Sequence, residues 1–474
     1  MNCQLLHMKN LNSSYWYLRL LVTLLCFGTR DSELGTRFIF SRSPDPRSLI
    51  QILLLFLISF FIPILLSAQS PYPVLIYRYD HYLFQINPNQ HADWHGEEEY
   101  WMYHGREMAA KSEWRSDGDT ETNVPDGVTK YMRMSWNRTA IAETIKQVIS
   151  AEINREPGSV TISRNESGAV VFEGIGMLGR DLDVHQAVTL TVYALENGVN
   201  DIVLPMVEIQ PQITINDRDL QDRGIKEVLS IGESNFAGSP NNRRHNIAQG
   251  LSKFNGYIIP QGETFSFNEV LGDVNASTGY KPELVILGDK TLPEYGGGLC
   301  QVSTTAYRGI WEYGFPIVKR KNHSFAVLYY SPQGTDATIY PPHTDLQFVN
   351  DGPSDILIQT HVEGDNAYYI YYGLRDDRTS EIIGPYTWGR VAAPPDRVEY
   401  TTDLPVGARK KVGGAVPGLR AAWFRVTNSP LQEEENVESF YSIYEARPLY
   451  HQIGVAQGMT APGIGPAKPS WIGE

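Results

Sequence analysis

Cysteine is the scarcest residue in this sequence of 474: there are three, Cys3, Cys26 and Cys300. The first two precede a long apolar run at residues 49–68, so a chain exported behind that run keeps Cys300 alone and has no intramolecular disulfide available. Positive charge is also short, with 40 Lys and Arg against 54 Asp and Glu and a net charge of −14. That balance argues against nonspecific nucleic-acid binding, which needs cations to displace phosphate counterions, and no basic stripe with interleaved aromatics offsets it. No internal repeat is found, which removes the repeat architectures.

Long apolar runs are otherwise missing, which makes residues 49–68 stand out. They read LIQILLLFLISFFIPILLSA, interrupted only by Gln51 and two serines, with Arg42 and Arg47 in front. The run fits a secretory signal cleaved near Ser67 and Ala68, or a single membrane anchor with positive charge inside. Pro63 weakens a full span without forbidding it. Both readings place the rest of the chain outside the cytoplasm, in the cell envelope, secreted or held by one N-terminal segment. A shorter patch, LLVTLLCFG at residues 20–28, leaves open whether the leader has an over-extended start or two passes.

A chain of this length exceeds one ordinary core, because domains run to about 100–200 residues. Its 42% hydrophobic and 11% aromatic content is that of a globular protein. The periodicities predict an α+β, multidomain chain with a C-terminal β module. Residues 1–69 form the leader. Residues 70–133 are rich in Tyr, Trp, His and acids and lack clear periodicity; His91 and His95 stand four apart, but Gly96 and the absence of a following Glu spoil a zinc-helix pattern, so a solvated polar loop is expected there and no metal.

Residues 134–236 read as an α+β module. Ile141, Ile145, Val148, Ile149 and Ile153 share one helix face, a second helix is expected over 182–197 with Gly198 as terminator, and short strands lie near 160–162 and 170–172. Ile202, Leu204 and Met206 alternate as an edge strand. In residues 237–374, Ile247, Leu251 and Phe254 mark a short helix, and Phe265 and Phe267 alternate as a strand. A helix from about Cys300 to Gly314 follows. Alternating Phe325, Val327 and Tyr329 predict a strand starting at His323, and Ile356 to Val362 predict another with a return strand after an E-G-D-N turn. Residues 375–455 are strand-like and turn-rich, and 456–474 are expected to be a disordered tail.

The chemistry concentrates at EYGGGLCQVSTTAYRGIW, residues 294–311. Three glycines permit backbone angles and close approaches closed to other residues. A thiol at the start of a helix sits by unpaired N–H groups and the positive dipole end, which favour thiolate. A lone cysteine is otherwise more often an inert apolar filler. A thiolate nucleophile needs an acid–base partner: His323 in KRKNHSF is the first candidate, with His245, His343 and His361 as alternatives. Asp336 or Asp345 would orient the imidazole. Gly297, Gly298 and Gln301 form the loop whose N–H groups would meet an oxyanion. Arg243, Arg244 and Arg320 are either surface charges or holders of a substrate carboxylate. No cofactor or metal is called for.

RRHNI, PQGETFSFNEVLG, TGYKPELVI, GGGLCQVSTTAYR, RKNHSFAVLYY, GTDATIY and DLQFVND together resemble the VanW domain, in the order in which that family carries them. They span about a quarter of the chain. Residues 134–236 resemble the module, named for peptidoglycan binding, that often precedes it, through SVTI, LGRDLDV and the helix pair. The resemblance implies L,D-transpeptidase activity on peptidoglycan stem peptides, with Cys300 as nucleophile and His323 as its partner. It also admits a thiol peptidoglycan hydrolase, which uses water as acceptor, and a wall-binding or scaffolding protein that does not need the thiol. The S-H-G-C pattern of the better-known transpeptidase fold is absent.

Overall fold

The helix that carries Cys300, Leu299–Tyr313, is enclosed on nearly every side: Leu299 and Gln301 through Trp311 are buried. A helix sunk this deeply needs internal partners for its polar side chains, and it has them. Ser303 donates to Ala337 O at 2.7 Å, Thr305 donates to Gln301 O at 2.7 Å, and Arg308 reaches the Ser331 carbonyl at 3.0 Å. Its C-terminus ends on Gly314 in a left-handed conformation, and Arg425 donates to the carbonyls of Trp311 and Phe315.

In the computed structural model, residues 72–109, 124–287, 290–430 and 435–457 are described, all within one unit that starts at Ser70. The leader, including 49–68, and the tail beyond 457 lie outside the described residues. Among the described residues no helix is long and apolar enough to cross a membrane.

Helix Leu299–Tyr313 lies on an antiparallel sheet ordered Glu227–Asn235, Asn366–Gly373, Ile356–Glu363, Ile258–Ile259. The approach is close because two glycines meet: a Cβ on Gly232 would fall 1.9 Å from Thr305 O, and one on Gly309 would fall 2.6 Å from Gly232 N. Strand NAYYIYYG alternates between two cores. Ala367, Tyr369 and Tyr371 face the helix, while Tyr368, Ile370 and Tyr372 join Val160, Ile162 and Leu220 on the other side. The sheet thus draws in Glu227–Asn235, so the structural unit around the thiol begins before residue 237.

The preceding region is mixed helix and strand. Helix Arg138–Ile145 continues through a wider turn, Lys146–Ser150, to Ile153, and helix Val184–Asn197 is capped by Asp183 and closed by Gly198. Their apolar faces pack with hairpin Leu75–Tyr79 and Tyr82–Ile86. The aromatic, acidic stretch is not a loop: His95–Tyr103 pairs over its whole length with Val128–Trp136. Its register sets Tyr100 against Tyr131 and Glu98 against Arg133, cross-strand pairs that a search for alternating hydrophobicity passes over.

At the C-terminal end, Thr379–Val391, Gly418–Asn428 and Asn436–Tyr444 form one sheet, and Arg397–Thr401, Tyr450–Gly454 and Arg409–Val412 another. The first sheet turns Trp423, Arg425 and Tyr444 inward; the Trp423 ring meets Trp311 edge-on at 5.5 Å.

Three expected strands are corrected. Ile202, Leu204 and Met206 do not share one strand: Asp201–Val203 pairs with Leu75–Tyr79 and Met206–Ile209 with Gly179–Leu182, the chain breaking at Leu204 and Pro205. Phe265 lies in strand Thr264–Ser266, but Phe267 opens a short helix, Phe267–Leu271, capped by Ser266. The segment after His323 is not a strand either: it runs irregularly into a single helical turn, Leu328–Tyr330. His323 and Phe325 are buried as the alternation required, yet the backbone bonds go elsewhere. His323 N donates to the Asp336 carboxylate, and the Ser324 carbonyl accepts from Glu445 N.

Candidate functional site

The three glycines before Cys300 are held by close contact. A Cβ on Gly297 would lie 2.8 Å from Glu283 Cβ, and one on Gly298, which has φ of +115°, would lie 3.0 Å from Arg243 Cγ. Asn246 fixes the turn by donating to Gly297 O at 3.1 Å. In the first helical turn, Leu299 N donates to Gly296 O and Gln301 N to Gly298 O. The loop therefore presents Cys300 from the one partly buried position in an otherwise buried stretch of helix.

The facing wall is residues 335–339, sewn to the helix by Ser303 and Thr304, which bond to the Ala337 carbonyl and N–H. It places the Thr338 hydroxyl 3.3 Å and the Ile339 carbonyl 3.6 Å from Cys300 Sγ. It also places Asp336 against His323. His323 Nδ1 lies 2.6 Å from Asp336 Oδ2, which also accepts from His323 N at 2.7 Å. The Asp336 Oδ1 accepts from the Tyr444 hydroxyl at 2.5 Å and from Arg320 at 3.3 Å. The imidazole stacks on Tyr330, centroids 4.3 Å apart, and lies close enough to Cys300 for the two groups to shift each other's charge.

These contacts set charge. Burial pushes the Cys300 thiol up, but the His323 hydrogen bond and charge, with Thr338, bring it below its ordinary value. Burial alone would depress His323; its bonds to Asp336 and Cys300 push it up to about 9. Asp336, despite burial, is held well below the usual carboxylate range by His323 and Arg320. These shifts favour a thiolate beside an imidazolium oriented by a carboxylate.

The other candidates separate. Gln301 is fully buried, bonding Arg243, Ser234 and the Asn235 carbonyl, so its side chain braces the turn. Arg243 is tied to Ser239 and Gln301 and lies over the Tyr329 ring. Arg320 is buried against the Asp336 loop, donating to Asp336 O at 2.6 Å and Gly334 O at 2.9 Å. Arg244 is half-exposed and pairs with Asp365. His245 bonds Gly279 O, His343 stacks on Tyr340 and His361 on Tyr368. Asp345 caps Ser266 and Asn268. Thr338, Tyr330 and Tyr444 went unrecognised in the sequence, although Thr338 in GTDATIY and Tyr330 at the end of RKNHSFAVLYY stood within segments already singled out. Among the described residues no group of three or more His, Cys, Asp or Glu is arranged to hold a metal ion.

A second charged cluster lies at the other end of the same helix. Glu312 meets His81 Nδ1 at 2.5 Å beside a cavity of about 240 Å³ lined by Asp80, Arg180, Glu233 and Arg375, among others. Burial pushes Glu312 up to about 8, Arg308 pulling against and Glu233 adding to the shift, while burial and Arg308 hold His81 well below its usual range.

A family model described as VanW like protein matches residues 242–371, which include Cys300, His323 and Asp336. "Uncharacterized protein YoaR" of Bacillus subtilis (strain 168) is 30% identical over 230 residues, 48% of this chain and 72% of that protein. "Vancomycin B-type resistance protein VanW" of Enterococcus faecalis (strain ATCC 700802 / V583) is 31% identical over 150 residues, 30% of this chain and 48% of that protein.

Proposed function

The chain belongs to the VanW family, and from that premise we propose that it is a cell-envelope cysteine acyltransferase of the L,D-transpeptidase type. The carrying observation is the wall at residues 336–338, which fixes His323 Nδ1 2.6 Å from Asp336 and sets Thr338 3.3 Å from the Cys300 thiol, with thiol and imidazole each shifted toward the charged form.

In this reading the Cys300 thiolate attacks the carbonyl carbon of the third residue of a peptidoglycan stem peptide. The carbonyl electrons move to oxygen, and the Cys300 N–H in the first turn of the helix is the donor assigned to that oxyanion. The C–N bond to the terminal D-residue then breaks, with the His323 imidazolium giving its proton to the leaving amine. A thioester and a neutral imidazole remain. The side-chain amine of a second stem attacks the thioester, His323 takes up the amine proton, and the C–S bond breaks to restore the thiolate. Asp336 holds the imidazole in register and stays ionised throughout. Residues 134–236 would bind the wall polymer, and residues 49–68 would export or tether the chain outside the cytoplasm.

The test is product analysis with disaccharide tetrapeptides. Wild-type protein is expected to form cross-linked dimers and release the terminal D-residue, and Cys300→Ala to do neither. Tripeptide without dimer would reassign the site to hydrolysis. Identical products from wild type and Cys300→Ala would remove the thiol mechanism.

A further inference from the structure

Tyr444 lies outside the matched domain, 108 residues beyond Asp336 in sequence, yet its hydroxyl is at the centre of the site. Gly334 N donates to that hydroxyl oxygen at 2.7 Å, which leaves the hydroxyl proton directed at Asp336 Oδ1, 2.5 Å away. The other donor to Oδ1, Arg320, is at 3.3 Å, so Tyr444 supplies the shorter bond. With Oδ1 held this way, Oδ2 is presented to His323 N and Nδ1 together.

The same strand end grips the loop that carries His323. Asn322 donates to Ile443 O at 2.8 Å, Arg320 to Ser442 Oγ at 2.8 Å, and Glu445 N to Ser324 O at 2.7 Å. Four consecutive residues, 442–445, thus contact both loops that build the site. Trp423, from the neighbouring strand, adds a bond from its Nε1 to Gln333 O at 2.8 Å.

We propose that Tyr444 is a positioning residue for the Cys300–His323 pair, acting through Asp336, and that the C-terminal sheet is part of the active unit rather than a separate appendage. A carboxylate whose far oxygen has a firm donor stays ionised and fixed in rotation, and only then keeps the imidazolium that stabilises the thiolate. Without the hydroxyl, Asp336 is free to turn toward Arg320 and away from His323. For its meaning in catalysis the proposal rests on the reading of Cys300 as nucleophile.

The test uses the full chain and needs no substrate: the rate of Cys300 alkylation by iodoacetamide is followed against pH. Tyr444→Phe keeps the ring and is expected to raise the midpoint by about one unit, about tenfold slower on the low-pH limb. Trp423→Phe, which removes a bond from the same sheet face but touches neither His323 nor Asp336, should lower the melting temperature and leave the midpoint in place. A Tyr444→Phe midpoint equal to wild type overturns the proposal, and so does an equal shift in Trp423→Phe. Should Tyr444→Phe prove unfolded, Ser442→Ala tests the other half of the proposal, the grip of the sheet on the His323 loop through Arg320, and a midpoint equal to wild type there overturns the part given to the sheet. A wild-type protein with a lowered midpoint that turns over no stem peptide would remove the transpeptidase reading and leave Tyr444's role standing.

Discussion

Helix Leu299–Tyr313 has a carboxyl–imidazole pair at each end, and the two pairs settle into opposite charge states. At its start, Asp336 and His323 are both ionised; at its end, about 18 Å away at 1.5 Å per residue, Glu312 and His81 are both neutral near pH 7. Both pairs are buried and both are bonded at about 2.5 to 2.6 Å. The difference lies in the remaining donors. Asp336 accepts from the His323 ring and backbone, Tyr444 and Arg320, whereas among the described residues Glu312 is bonded by His81 alone, and the Arg308 charge near it is opposed by Glu233 and by the negative end of the helix beneath it. Burial opposes charge at both ends, and the count of donors decides which end keeps it.

The sharpest way to break this contrast is Asp336→Asn, which keeps shape and removes charge. Turnover of stem peptide is expected to fall by about a thousandfold or more, and the alkylation midpoint of Cys300 to rise toward an ordinary thiol near 8.5. An unchanged alkylation profile would show that the carboxylate does not set the thiolate.

Next in size is the pH dependence of stability. Glu312 is raised from 4.5 to about 8, so its contribution is whole below 4.5 and lost as pH rises through about 8. His81 is lowered from 6.5, so burying it neutral costs stability only below 6.5, and from 4.5 to 6.5 the two slopes oppose each other. The thiol end is the same in wild type and Glu312→Gln, so its slope cancels when the two are compared. Wild type should therefore lose more stability between pH 6.5 and 8 than Glu312→Gln does, by about 2 kcal/mol, the raised Asp80 carboxyl giving both proteins a further falling slope. Urea melts at the two pH values decide it, and equal slopes in the two proteins would refute the neutral state of Glu312.

The smallest effect belongs to Arg244. Its pair with Asp365 is half-exposed and screened by solvent, so Arg244→Ala should leave the melting temperature nearly unchanged. A large drop in melting temperature would mean that charge near the thiol is held by more than the bonds around Asp336.

How much of this could be read in the residues varies with range. The glycine turn, the helix from Cys300 to Gly314 and the paired strands near 356–373 carry local signals, namely terminators, spacing and alternation, and these match the elements found. His323 is the first candidate because a helix-then-strand return would bring it beside the start of the helix, but the strand assigned to it does not exist. Its period of two comes from side chains packing inward while the backbone bonds Asp336 and Glu445. Tyr444 left no trace, because a single hydroxyl delivered across 108 residues has no period and no spacing. Asp80, with φ of +48°, and His81 are not singled out by any pattern in the sequence; the tertiary arrangement sets His81 on Glu312.

The central claim is that Cys300 forms a thioester with a stem peptide. Acid-quenched intact mass spectrometry of the full chain with a disaccharide tetrapeptide, followed by peptide mapping, reads that bond directly. The expected result is an adduct on Cys300 equal to the donor minus its terminal D-residue and displaced by an added amine. Product formed with no adduct on Cys300 at any quench time, and undiminished in Cys300→Ala, would contradict it.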